Sequence, residues 1–269
     1  EHPATQRNIS QIKADGVRIL GPSEGDMACG EFGFGRMLEP VNVLEAVKSI
    51  FRVGALKGKR ILITSGPTYE PIDPVRFIGN RSSGKQGKAI ADCLISQGGD
   101  VLFISGPVNE SMPVGAEVFR IETADEMFDL VKGSGKFDVA ICVAAVADWK
   151  AKNKQSQKMK KDPFENEMEL ELVKTPDILE YLSQSESRPQ LVIGFAAETD
   201  QLNKNSAKKL EEKGCDWIFA NDVGLGTNIM GGDENSVTFF SKEVTKSYGR
   251  MDKKQVAQII TDMIIEEIG

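Results

Sequence analysis

Five short segments hold the residues of this chain best suited to chemistry. The richest is Ser65–Gly87, SGPTYEPIDPVRFIGNRSSGKQG, where Arg76, Asn80, Arg81 and Lys85 share one glycine-rich stretch. The pattern predicts a helix over Gly84–Gln97, so the amides of Ser82, Ser83, Gly84 and Lys85 lie at a helix N-terminus. Unpaired amides and the helix dipole favour an anion there. Gly79, Gly84 and Lys85 nearly spell a phosphate-binding P-loop, but Gln86 stands where serine or threonine would hold magnesium. Gly79 also lies well past the preceding strand instead of directly after it. The plainer reading is a glycine-rich turn with no ligand.

The second segment, Cys142–Asp148 (CVAAVAD), is an apolar run that ends in small residues and an acid. Small residues let a ligand approach the backbone closely. Asp148 could hold a ribose hydroxyl or a metal, or simply cap a helix. The third, Lys150–Lys161, carries six lysines and no acid. Such a run is ordinarily a solvated face; beyond the carboxyl end of a strand it also suits a basic flap over a polyphosphate. Gly194–Thr199 (GFAAET) and Ala220–Asp222 repeat the theme of a strand running into small or polar residues.

The elements that must position these segments alternate in type. Arg60–Thr64, Val101–Ser105, Val118–Ile121, Phe137–Ala145, Leu191–Ala196, Trp217–Ala220 and Ser236–Ser241 read as strands. Between and after them, helices are predicted over Gly84–Gln97, from the capping box Thr123–Glu126 to about Lys132, from Thr175-Pro176-Asp177, over Asn203–Lys213 and over Lys253–Ile268. Short buried strands alternating with helices imply an α/β fold, a Rossmann-like, mostly parallel sheet flanked by helices. A basic flap and an additional β segment, Met168–Val173, are appended to it. Ligands in such folds bind beyond the carboxyl ends of the strands, where the unusual residues fall.

Composition removes several classes of chemistry. The 269 residues contain one histidine, His2, so a Ser-His-Asp triad or a histidine-rich zinc site cannot be built in the body of the chain. The four cysteines, Cys29, Cys93, Cys142 and Cys215, form no CxxC pair, which argues against a disulfide framework and for a reducing cytoplasm. A net charge of −7 argues against general nucleic-acid binding. The longest apolar run, Val139–Ala147, is nine residues, too short to span a membrane. No signal peptide is evident at the N-terminus. What remains is Asn, Lys, Arg, Asp and backbone amides, with room for a bound metal whose ligands the sequence does not name. That inventory suits phosphoryl or nucleotidyl transfer.

In this order, SGPTYEPIDPVRFIGNRSSGKQG, SGPV, AAVADW, KMKK, VKTPDIL, GFAAET and ANDV resemble the phosphopantothenoylcysteine synthetases of the bacterial, CTP-dependent type across residues 58–269. The resemblance implies a ligase of coenzyme A biosynthesis. It would activate 4′-phosphopantothenate with CTP and magnesium (or manganese), release pyrophosphate, then couple the acyl-cytidylate to L-cysteine and release CMP. By the same resemblance, Asn80 would act on the acyl-cytidylate, with Arg76 and Ala145 contacting the pantothenoyl part. Lys158 would neutralise the triphosphate. Cys142, Val143, Ala144, Asp148, Pro176, Asp177, Ile178, Leu179, Phe195, Lys209 and Lys213 match nucleotide-binding positions. A homodimer is implied, with no nucleic-acid or membrane partner.

Residues 1–40, with HPATQRN and ACGEFGFGRMLEP, resemble the C-terminal tail of a flavin-dependent decarboxylase domain, in which Cys29 matches the catalytic cysteine. Residues 41–57 read as a linker helix, with Asn42–Phe51 helical. The flavin-binding parts of that domain have no counterpart here, so neither bound FMN nor decarboxylation is expected of this chain alone. Two other readings compete. A Rossmann-like oxidoreductase would bind a dinucleotide, but GxGxxG is missing after the first strand. A regulatory module would bind a nucleotide without catalysis.

Overall fold

Prolines open both helices of the N-terminal segment: α1 (Pro3–Ala14), capped by His2, and α2 (Pro40–Phe51). A proline ring presets the helical φ, and its missing N–H is not needed in the first turn. Between them β1 (Ser23–Asp26) and β2 (Phe32–Arg36) pair antiparallel. Helix α1 buries none of its side chains, so no apolar stripe announces it in the sequence. The computed structural model describes residues 2–26, 32–51, 54–160, 169–224 and 232–269. It divides the chain into units Glu1–Phe51 and Arg52–Gly269. The break falls inside the stretch read as a linker, and α2 belongs to the first unit.

The second unit is built in chain order from β3 (Arg60–Ser65), β4 (Tyr69–Pro71), β5 (Phe77–Gly79), α3 (Lys85–Ser96), β6 (Asp100–Ser105), β7 (Glu117–Arg120) and α4 (Ala124–Gly133). Then come β8 (Val139–Cys142), β9 (Trp149–Ala151), β10 (Leu172–Lys174), α5 (Ile178–Gln184), β11 (Leu191–Glu198), α6 (Leu202–Lys213) and β12 (Trp217–Asp222). The last elements are β13 (Glu234–Asn235), β14 (Val237–Phe240), β15 (Thr245–Ser247), β16 (Met251–Asp252) and α7 (Lys253–Ile268). The main sheet runs β15-β14-β12-β11-β8-β3-β6-β7, with β12 through β7 all parallel and the β14–β15 hairpin antiparallel at one edge. Counting only the parallel strands in chain order, this is the doubly wound arrangement 3-2-1-4-5-6.

Alternation along each strand splits the core in two. Ile61, Ile63, Phe103, Ile141, Ile193 and Phe219 pack against α3 and α7. Leu62, Leu102, Ile104, Ala140, Val192 and Ile218 pack against α4, α5 and α6. Both faces are covered, which is why the strands read as continuous apolar runs. Each large side chain so buried contributes about 1.5–3 kcal/mol.

Two predicted boundaries move. The run Phe137–Ala145 pairs as a strand only over Val139–Cys142. Beyond Cys142 it follows the loop after β3 instead, with Val143 N donating to Thr64 O and Ala145 N to Gly66 O. Helix α5 is capped by Asp177, whose carboxylate accepts from Glu180 N, and not by Thr175. Thr175 Oγ1 instead donates to Ala147 O at 2.6 Å, which ties the chain before α5 to the loop after β8.

The ends of β3 and β6 approach so closely that Gly106 has no room for a side chain. A Cβ there would sit 1.6 Å from the Pro67 carbonyl oxygen. Backbone on both sides cannot yield cheaply. Gly106→Ala is expected to destabilise the fold by about 2 kcal/mol or more, read as a lowered urea midpoint with unchanged slope.

Candidate functional site

Strand order reverses between β3 and β8, whose outgoing connections diverge. A crevice must open beyond their carboxyl ends. A cavity of about 990 Å³ lies there, walled by the ends of β3, β8, β11 and β12 and by the N-termini of α3 and α5. It is lined by Asn80, Cys142, Val143, Ala144, Ala145, Asp148, Pro176, Asp177, Ile178, Leu179, Phe195, Lys209 and Lys213. These residues come from segments up to 133 positions apart in the sequence and meet only in the fold. Arg76 and Lys158 are not among the lining residues. Cys29 lies outside the described residues.

The floor is two loops zipped together. Thr68 N donates to Ala145 O at 3.4 Å and Ala147 N to Thr68 Oγ1 at 3.0 Å, which continues the pairing of β3 and β8 past both strands. Asn80 leans onto this floor, with Nδ2 donating to Val146 O at 2.9 Å and to Ala145 O at 3.4 Å. Nδ2 thus faces backbone carbonyls, which fixes the orientation of the amide.

One wall carries lysines one helical turn apart on α6. Lys209 Nζ donates to Phe195 O at 3.1 Å, and Lys213 Nζ pairs with Asp177 Oδ2 at 2.6 Å and more loosely with Glu180. The hydrogen bond to Asp177 pushes the Lys213 ammonium up from its ordinary value, so it stays charged. Asp148 is exposed at the rim and makes no ion pair among the described residues. The Asn221 side-chain oxygen on the β12 wall is buried and has no hydrogen-bond partner among them.

The opposite wall is the first turn of α3, entered through Gly84 at φ +75° with no side-chain cap. Around it lie Lys85, which the sequence reading singled out, and polar partners that it missed. Gln86 is buried, donates from Nε2 to Lys253 O and accepts from Asn235 Nδ2. Lys85 pairs with Asp233 at 2.6 Å. Burial, then the nearby Lys85, push the Lys253 ammonium down. In the sequence Gln86 is a failed P-loop position, and Lys253 is an ordinary first residue of an amphipathic helix. Neither carries a signal, because their contact joins elements more than 160 residues apart.

Arg76 and Lys158 belong to a second constellation. Asp73 is buried, and its carboxylate accepts from Val75 N, Arg76 N, Arg76 Nε and Met159 N. Arg76 Nη2 donates to Met159 O at 2.6 Å. Lys158 itself is exposed. Burial pushes the Asp73 carboxyl up, but the hydrogen bonds from Val75, Met159 and Arg76 outweigh it and hold the group down at about 2.

Residues 56–268 match the family described as DNA/pantothenate metabolism flavoprotein C-terminal domain. A coenzyme A biosynthesis bifunctional protein CoaBC from Bacillus subtilis is 42% identical over 248 residues, covering 90% of this chain and 60% of the relative. One from Vibrio vulnificus is 40% identical over 268 residues, covering 99% and 67%. The chain thus spans 60–67% of the length of such relatives. The crystal structure of the C-terminal domain of a CoaBC superposes with a TM-score of 0.65 at 37% identity, covering 79% of this chain and 97% of that one. No helix among the described residues is long and apolar enough to cross a membrane.

Burial, then the neighbouring Cys215, push the Cys142 thiol up to about 12. The thiol on the cavity wall is thereby held neutral, the less nucleophilic form. At pH 8, Cys142 is expected to alkylate about a thousandfold more slowly than an ordinary thiol, followed peptide by peptide by mass spectrometry. The Asp73 charge has the opposite sign of linkage. Its folded value lies below the ordinary 3.8, so its contribution to stability is complete above that pH and is lost as pH falls through about 2. The Val75 and Met159 amide proton shifts should hold constant from neutrality to about pH 3. A midpoint near the ordinary carboxylate value would mean that the hydrogen bonds to Asp73 are not formed in solution.

Proposed function

The chain belongs to the DNA/pantothenate metabolism flavoprotein C-terminal domain family, and from that premise we propose that it is the ligase that joins 4′-phosphopantothenate to L-cysteine, with CTP as the activating nucleotide. The observation that carries the reading is the cavity at the strand-order reversal. There Asn80, oriented on the Ala145 and Val146 carbonyls, shares one space with the lysines of α6 and the open first turn of α3.

The chemistry has two steps. The phosphopantothenate carboxylate attacks the α-phosphorus of CTP, forming a carboxylate–phosphate anhydride and expelling pyrophosphate. The cysteine amine then attacks the acyl carbon, the amide forms, CMP departs and the amine loses a proton. Neither step needs a histidine. The first needs cations around a triphosphate, and Lys209, Lys213 and the α3 amides supply positive charge to the cavity. The second needs the acyl group held in place for the amine, and Asn80, fixed on the Ala145 and Val146 carbonyls, would help hold it.

Magnesium fits this donor set as a guest of the nucleotide. It prefers one or two carboxylates plus phosphate oxygens over a full protein cage, and Asp148 and Glu198 line the cavity. When bound it would offset phosphate charge. Lys158 would add its charge from the basic segment.

The test is pyrophosphate release with magnesium, phosphopantothenate and cysteine, comparing CTP with ATP. Release that requires phosphopantothenate and prefers CTP is expected. ATP preference would keep the ligase and overturn the nucleotide, and no release with either would overturn the reading. Asn80→Asp sets a carboxylate against two carbonyl oxygens. It should leave the first turnover of pyrophosphate release intact while amide formation falls at least about a hundredfold, with acyl-cytidylate accumulating. Lys158→Gln should slow pyrophosphate release.

A further inference from the structure

Asp73 has the geometry of an anchor. An ionised carboxylate offers about four lone-pair sites, and all are used: two by the Val75 and Arg76 amides, one by Arg76 Nε and one by Met159 N. No site is left for a ligand, so Asp73 does not touch substrate. The two amide bonds form a local turn and would suffice for one. Of the other two, Arg76 Nε is also local, while Met159 N comes from far along the chain. Met159 N donates to Asp73 Oδ2 at 3.1 Å, and Met159 O accepts from Arg76 Nη2 at 2.6 Å, across more than 80 residues of sequence.

A single residue gripped at both its N–H and its C=O by one ion pair is fixed in direction as well as position. The Asp73–Arg76 pair, at 2.7 Å, has its carboxylate fully enclosed. Gln155 N adds a third tie, to Ile72 O at 2.9 Å. Residues 152–158 and Lys160 are exposed; Lys152 N is tied to Glu171 O, and beyond it Gln155 and Met159 are tied to the β4–β5 hairpin and its turn. Both neighbours of Met159 in the chain are lysines.

We propose that Asp73 is a positioning residue: through Met159 and Arg76 it fixes the basic segment so that Lys158 is presented at a set place and heading. The proposal rests on the ligase reading for what Lys158 then does, but the anchoring is a separate claim. It explains why a carboxylate is enclosed in a hairpin turn that two amides alone could close. It also gives Arg76, absent from the cavity lining, a definite partner.

The experiment pairs a conformational readout with a kinetic one in Asp73→Asn. The amide keeps the shape but turns an acceptor into a donor facing Arg76 Nε and Met159 N. Tryptic cleavage after Lys158 and Lys160 is expected to rise about tenfold, with other sites unchanged. Pyrophosphate release at saturating substrates should fall by a similar factor, with the KM for cysteine unchanged. Unchanged cleavage would overturn the anchor. Raised cleavage with undiminished pyrophosphate release would overturn the positioning role. Raised cleavage in a protein whose unmutated form releases no pyrophosphate would uphold the anchor and sink the ligase reading. Should Asp73→Asn fail to fold, hydrogen exchange in the unmutated protein decides: the Met159 amide must be protected at least about a hundredfold, and free exchange there would overturn the proposal.

Discussion

The pairing of two loops beyond the ends of β3 and β8 is the constraint on which the site depends. Parallel strands ordinarily part company at their carboxyl ends, and these two send their connections in opposite directions. Here the ladder continues for several residues, through Val143 to Thr64, Ala145 to Gly66, Thr68 to Ala145 and Ala147 to Thr68. The crevice created by topology thereby acquires a rigid floor. Asn80 is held by that floor, and Thr175 bonds to its far end, so the approach to α5 is set by the same loops. Small side chains make this possible: Ala144, Ala145 and Ala147 let the backbones meet, and Gly106 lets the end of β6 sit against Pro67.

Around the floor, charge is arranged in pairs and not in isolation. Lys213 faces Asp177, Lys85 faces Asp233, and Lys209 rests on a backbone carbonyl. An unpaired lysine in a half-closed cavity would be costly to hold charged. Pairing with carboxylates pushes the Lys213 and Lys85 ammonium groups up from their ordinary value and orients them. The buried Gln86–Asn235 contact braces the first turn of α3 from behind, so the open amides are backed by a rigid support.

The basic segment follows a different logic. Six lysines in one stretch repel one another and gain little by packing. The backbone near Lys158 and Lys160 is therefore placed from outside, by an ion pair with an enclosed carboxylate that grips Met159 and leaves these two lysines exposed. Side-chain charge and backbone placement are thus handled by separate residues.

By itself the sequence determined the α/β class, the order of the main elements and the segments at the strand ends. These follow from local facts: the period of apolar residues, the Thr123–Glu126 capping box, and glycines and prolines at the breaks. Most of the residues to which the ordered motifs pointed line the cavity, though many of its other lining residues carried no such signal. What only the tertiary structure decided is which residues touch. It cut the run Phe137–Ala145 to a strand of four residues, because the remainder found partners in another loop. It moved the α5 cap from Thr175 to Asp177, because Thr175 was engaged elsewhere. It brought Gln86 to Lys253 and Asp73 to Met159, contacts that leave no local trace. Propensity and periodicity act over one or two turns of chain, whereas these hydrogen bonds exist only because the sheet brings distant segments together.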